Sequence, residues 1–195
     1  MEKEKLKTDD FVILIDAGYL EEIGHSMRDY FSHIVKRNLP KADMPALIEG
    51  IALDSGIRPA DNKIQVIFVY PKSLNKFSFC EPSDLTGDLH CVAFKSNVGE
   101  FSFTSYSTEG LVSHEELYAE FIDALTVSQN TKVVILVGNV PSYNKESVKQ
   151  LQAVNDREVY YFNMNPQESQ QYAFKYNNLG YVLLHAMGIK PEELE

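Results

Sequence analysis

Apolar residues in this chain fall into two kinds of run. FVILI at 11–15, KIQVIFVY at 63–70, KVVILV at 132–137 and REVYYFNM at 157–164 are short, continuous and rich in β-branched or aromatic residues. Runs of that kind predict strands buried on both faces, as in a parallel sheet. Between them the apolar residues recur at helical spacing. The region 21–38 carries Tyr30, Phe31, Ile34 and Val35 on one side. MPALIEGIAL at 44–53 carries Met44, Leu47, Ile48 and Ile51, with Gly56 and Pro59 to stop it. SHEELYAEFIDAL opens on a capping box, Ser113 with Glu116, and is expected to turn Leu117, Phe121, Ala124 and Leu125 to the core. KESVKQLQAV predicts a further helix. A last one is expected from 167 to 187, with Tyr172, Tyr176, Leu179, Leu183 and Met187 on one face and Gly188 as its cap.

The rhythm breaks at 71–110. There CVAFK and EFSFTSY flank the turn residues SNVG, so 89–95 and 100–106 predict a hairpin, preceded by a long excursion at the rim. Strand and helix otherwise alternate. The predicted fold is therefore α/β, a three-layer sandwich around a mainly parallel sheet of Rossmann-like type, with the hairpin inserted. Residues 11–195 form one domain, and the charged stretch 1–10 is expected to fray.

Composition narrows the function classes. No stretch approaches the roughly 20 apolar residues of a membrane helix. MEKEKLKTDD lacks the apolar centre of a signal peptide, so a cytoplasmic protein without membrane contact is expected. Cys80 and Cys91 have no CxxC spacing, and Cys91 reads as a strand core residue. The net charge of −10 argues against strong, non-specific binding to nucleic-acid phosphates, while leaving room for a small metal-assisted site. No phosphate loop, dinucleotide fingerprint or nucleophile elbow occurs, and the five histidines show no HxxxH or HxH spacing. The 11 tyrosines can stack on bases or pack in a core.

In open α/β sheets ligands sit outside the carboxyl ends of the strands, at the point where strand order reverses. Asp16 and Asn139 both end apolar strands. Asp16 suits a hard-oxygen ligand to Mg²⁺ or Mn²⁺, or a helix cap. Glu116, Glu120 and Asp123 share one helix face, which would aim carboxylates at the same edge or simply face water. Asn139 would hydrogen-bond a ligand or form a turn.

FVILIDAGYL resembles the opening strand of NYN domains, in the PIN-like nuclease superfamily, whose pattern is an apolar run followed by IDGGYL or IDGxNL. Asp16, Gly18, Tyr19 and Leu20 match it. KVVILVGNVPSYNKESVKQL resembles the later strand and helix of that family, where the pattern is LxSGDSDF. Gly138 matches, but Asn139 and Pro141 stand where acids are expected. Asp123 in EFIDAL matches an acid in the intervening helix, and an earlier acid has no clean counterpart beyond the neighbouring Glu116. The resemblance spans about residues 10–164. It implies a PIN-like domain acting on RNA, in which clustered carboxylates bind Mg²⁺ or Mn²⁺ and activate water. Asp16, Asp123 and Asn139 would be the catalytic positions, and Asp16, Asp123, Glu116 and Glu120 the metal ligands. Too few acids remain for a full set, so the expectation is a weak or degenerate nuclease. The alternatives are a non-catalytic α/β module that binds a protein partner or a second copy, and an unrelated α/β domain binding a small nucleotide or phosphate.

Overall fold

The computed structural model describes residues 7–194. Strand β1 (Phe11–Asp16) leads into helix α1 (Ala17–Ile34), and the short β2 (Ala42–Asp43) into α2 (Met44–Asp54). Then follow β3 (Asn62–Tyr70), the short β4 (Cys80–Glu81), β5 (Val92–Lys95) and β6 (Gly99–Ser107). Helix α3 (His114–Thr126), β7 (Val133–Val137), α4 (Lys145–Ala153) and β8 (Glu158–Asn163) continue the alternation. The chain ends with α5 (Pro166–Ser169), β9 (Lys175–Asn178), α6 (Leu179–Ala186) and a short 3₁₀ turn.

Seven strands form one sheet in the order β5-β6-β3-β1-β7-β8-β9, parallel throughout except for β5, which returns antiparallel on β6. β1 is central, with Phe11 flanked by Ile64 and Val133. Val12, Ile13, Leu14 and Ile15 have no exposed surface, as expected for a strand covered on both faces. Alternate residues feed two cores. Ile13 and Ile15 face α1, α2 and α6. Val12 and Leu14 face α3 and α4. The fold is thus a three-layer α/β sandwich with an inserted hairpin.

Several local expectations are corrected. The stretch read as one long final helix contains a strand instead. Lys175–Asn178 pairs parallel with β8, Tyr176 lying beside Tyr161, and Asn178 then caps α6 by accepting the Gly180 N–H at 2.7 Å. Sheet pairing outweighs the helical spacing of Tyr172 and Tyr176, and Asn177-Asn178 is a poor helix interior in any case. Gly188 ends α6 at φ +68°, as a left-handed C-terminal residue does.

The excursion between β3 and β5 does not stay at the rim. It pairs β4 with β2 and buries Phe77, Phe79, Leu85 and Leu89 against α1 and β3. Helix α1 leaves a gap for it at Gly24, where a Cβ would come within 2.5 Å of the Phe79 ring. Cys91 is exposed at φ +55° just before β5 rather than in a strand core, while Cys80 is buried; both are free thiols. Helix α3 buries Tyr118, Ala119, Ile122 and Leu125, and leaves Leu117 and Phe121 half-buried, because its inner face is turned one residue from the expected one. At the N-terminus Thr8 is buried and hydrogen-bonds Ser128, and the Asp10 carbonyl accepts from Lys132 and Val133. The expected fraying of 1–6 lies outside the described residues. Among those described, no helix is long and apolar enough to cross a membrane.

Candidate functional site

Strand order reverses at β1, since the chain moves from β1 to β3 on one side and later to β7 on the other. The crevice between the carboxyl ends of β1 and β7 is therefore where a sheet of this type places a ligand. Asp16 and Gly138-Asn139 stand at its two walls.

Asp16 is 2% exposed, and its two carboxylate oxygens are engaged by the chain itself. Oδ1 caps α1 by accepting the Tyr19 N–H at 2.9 Å. Oδ2 accepts the Tyr143 hydroxyl at 2.7 Å and lies 3.5 Å from His114 Nε2. The close fit depends on two glycines. A Cβ on Gly138 would stand 2.1 Å from the Tyr143 hydroxyl and 3.1 Å from Asp16 Cβ. One on Gly18 would stand 3.3 Å from Asp16 Oδ1 and 3.5 Å from His114 Nε2.

Tyr143 follows a short 3₁₀ turn after β7; its ring packs in the core on the α3 and α4 side, and its hydroxyl reaches into the crevice. Its hydroxyl accepts the Asn139 N–H at 3.0 Å while donating to Asp16. The ring stacks on Tyr118, with centroids 4.3 Å apart and planes at 24°. The Tyr118 hydroxyl donates to the Leu14 carbonyl of β1 at 2.9 Å and reaches the Val137 carbonyl of β7 at 3.4 Å. Burial first, and then neighbouring negative charge including Asp16, pushes both tyrosines well above the ordinary phenol range. Tyr143 therefore keeps its proton and remains a donor.

His114, the first residue of α3, closes the outer side at partial exposure. Its Nε2 faces Asp16, and its Nδ1 lies 3.3 Å from a Glu115 carboxylate oxygen. The contact with Asp16 raises its pKa, and the charges of Asp16 and Glu115 add to this, against a smaller opposing effect of burial. The ring is thus a cation held between two carboxylates over more of the neutral range than a free imidazole.

The other acidic positions lie elsewhere. Glu116 is held in the capping box, exchanging hydrogen bonds with Ser113 at 3.0 and 3.1 Å. Glu120 is exposed. Asp123 is nine residues beyond His114, about 13 Å of helix rise. That carries it toward the amino end of the sheet, where Ser128 meets Thr8. Helix α3 runs away from the crevice, so its acidic stripe is not drawn to Asp16. Asn139 does line the crevice wall through its backbone, and its side chain makes no cap bond.

Among the described residues no group of three or more His, Cys, Asp or Glu is placed to hold a metal ion. At the crevice the donor set does not fit Mg²⁺ or Mn²⁺. A hard cation needs several free oxygens, whereas Asp16 supplies one buried carboxylate with both oxygens taken and a protonatable imidazole beside it. The sequence reading missed His114 and Tyr143. Spacing between histidines says nothing about a lone His at a helix start. The available signal was position: His114 directly follows a helix cap, and Tyr143 lies within the loop after a buried strand.

No curated protein and no solved structure matches this chain. A family model matches residues 5–194, and the chain belongs to that family, a family of unknown function (DUF6621).

Proposed function

We propose that the chain is a non-catalytic α/β interaction module, a PIN-like or NYN-like domain that keeps the sheet and has lost the nuclease chemistry. One observation carries this reading: the crevice where such a site would act is bridged by the Tyr143 hydroxyl, bonded to Asp16 on one wall and to the Asn139 N–H on the other. Water activation on a phosphodiester needs carboxylates with free oxygens around a metal. Here Asp16 is a helix cap and a buried hydrogen-bond acceptor, and the acids of α3 point to other tasks or other places. Asn139 and Pro141, where the resemblance calls for acids, bring no charge. The net charge of −10 also lowers affinity for RNA. The free thiols Cys80 and Cys91 suit a reducing cytoplasm.

The test is incubation of the full chain with end-labelled single-stranded RNA and Mn²⁺, beside Asp16→Asn. The expected result is no cleavage above buffer by either protein. Cleavage by the wild type that Asp16→Asn removes would overturn the reading and restore a nuclease.

A further inference from the structure

An open groove of about 490 Å³ separates α1 from α6 on the face opposite α3 and α4. Ile23, Met27, Tyr30, Met164, Tyr181 and Leu184 line most of it, and among the described residues no charged side chain does. The described residues leave this surface bare: Tyr30 is 62% exposed, Tyr181 74%, and Ile34, one turn beyond Tyr30, 46%. Neighbouring exposed side chains of this size are uncommon on a surface that faces only water.

The sequence of α1 explains the shape. Ile23, Met27, Tyr30 and Ile34 recur at i, i+4, i+7 and i+11, a continuous apolar row. The row one residue earlier, along its outer flank, reads Glu22, Ser26, Asp29 and His33. The flank is therefore acidic, with exposed His25 beside Asp29 at 3.4 Å. Arg28, the one Lys or Arg of α1, is turned to the opposite side, where it binds the Leu39 and Pro40 carbonyls. An apolar row beside an acidic one complements a helix with an apolar stripe and basic flanks.

We infer that this groove docks an amphipathic helix with basic flanks from a partner protein. Two aromatic anchors, Tyr30 and Tyr181, and the soft side chains of Met27 and Met164 suit an apolar helical stripe. Charge selects the occupant. A second copy would set acidic flank against acidic flank between chains of net charge −10 each, whereas a basic helix is drawn in by the same field. Such docking rests on the reading of the chain as an interaction module.

The test uses fluorescence anisotropy with a labelled peptide of about 18 residues, five helical turns. Its leucines fall at helical period and its remaining positions are lysine. A scrambled peptide of the same composition and a leucine–glutamate version serve as comparisons. The expected result is micromolar binding of the patterned peptide, at least ~10-fold weaker binding of both comparisons, and a similar loss with Tyr30→Ser/Tyr181→Ser or Glu22→Lys/Asp29→Lys. The substituted side chains are exposed, and an unchanged circular dichroism spectrum confirms each variant's fold. Equal binding of patterned and scrambled peptides, no binding, or affinity unaffected by Tyr30→Ser/Tyr181→Ser would overturn the inference. So would a dimer in sedimentation that this double variant dissociates, since the occupant would then be a second copy. RNA cleavage lost in Asp16→Asn would refute the interaction-module reading independently of any result at the groove.

Discussion

Replacing Tyr143 with Phe tests the crevice with the smallest possible change. The ring is 4% exposed, so the lost oxygen is not replaced by solvent. Two hydrogen bonds go with it. One is the bond to the Asp16 carboxylate at 2.7 Å, of the charge-assisted kind that contributes roughly 1.5–3 kcal/mol. The other is the acceptance of the Asn139 N–H at 3.0 Å, about 1 kcal/mol. Asp16 keeps the Tyr19 N–H and the nearby imidazole, which limits the damage. The sum is about 3 kcal/mol. With an unfolding entropy of about 2.1 cal/mol/K per residue, the 195 residues give about 0.4 kcal/mol/K, so the Tm falls by about 7 °C. Tyr118→Phe is the internal comparison. Its buried hydroxyl donates to neutral carbonyls only, so about 1 kcal/mol and 2–3 °C are expected. Urea and thermal unfolding followed by circular dichroism measure both. A Tyr143→Phe loss below about 1 kcal/mol, or one no larger than that of Tyr118→Phe, would refute the claim that Asp16 depends on this hydroxyl.

Three further changes probe the same architecture. The raised pKa of His114 makes its bonus to stability complete below the ordinary value of 6.5 and lost as pH climbs through the higher folded value. The stability gap between wild type and His114→Gln should therefore shrink from pH 5.5 to 8.5; a gap that is flat or widens contradicts the pairing with Asp16. Gly138→Ala should destabilise by about 1–3 kcal/mol through its clash with the Tyr143 hydroxyl. Because that oxygen is the nearest obstacle, Gly138→Ala combined with Tyr143→Phe should cost clearly less than the two separately, and strict additivity in a double-mutant cycle would count against the contact. Gly24→Ala forces a Cβ into the Phe79 ring and should cost about 1–3 kcal/mol in the same unfolding assay, showing that the excursion is docked on α1; a neutral result would mean that it is not.

The long, strongly patterned elements were legible because their cause is local. FVILI, VIFVY and VVILV are short, β-branched and apolar on both faces, which suits a covered parallel strand. Ser113 and Glu116 announce the start of α3 because a capping box needs nothing beyond its own four residues. Asp16 was legible as the acid at the end of β1, but not in its role: metal ligand and helix cap require the same carboxylate at the same place.

What the tertiary structure alone decided are the matters set by contacts distant in sequence. Whether 175–178 becomes helix or strand depends on the open edge of β8, which local spacing cannot register. Phe77 and Phe79 lie in a segment with loop chemistry, yet Phe79 fits the gap at Gly24 and Phe77 packs between Phe68 and Phe79. At the crevice, Asp16 meets Tyr143 across 127 positions and His114 across 98, joined only because β1, β7 and the start of α3 converge at one sheet edge. The sequence by itself determined that a carboxylate would stand at the end of the first buried strand; the sheet made that strand central. The fold determined that its oxygens would be occupied, because a buried charge must find partners and the nearest ones belong to the chain itself.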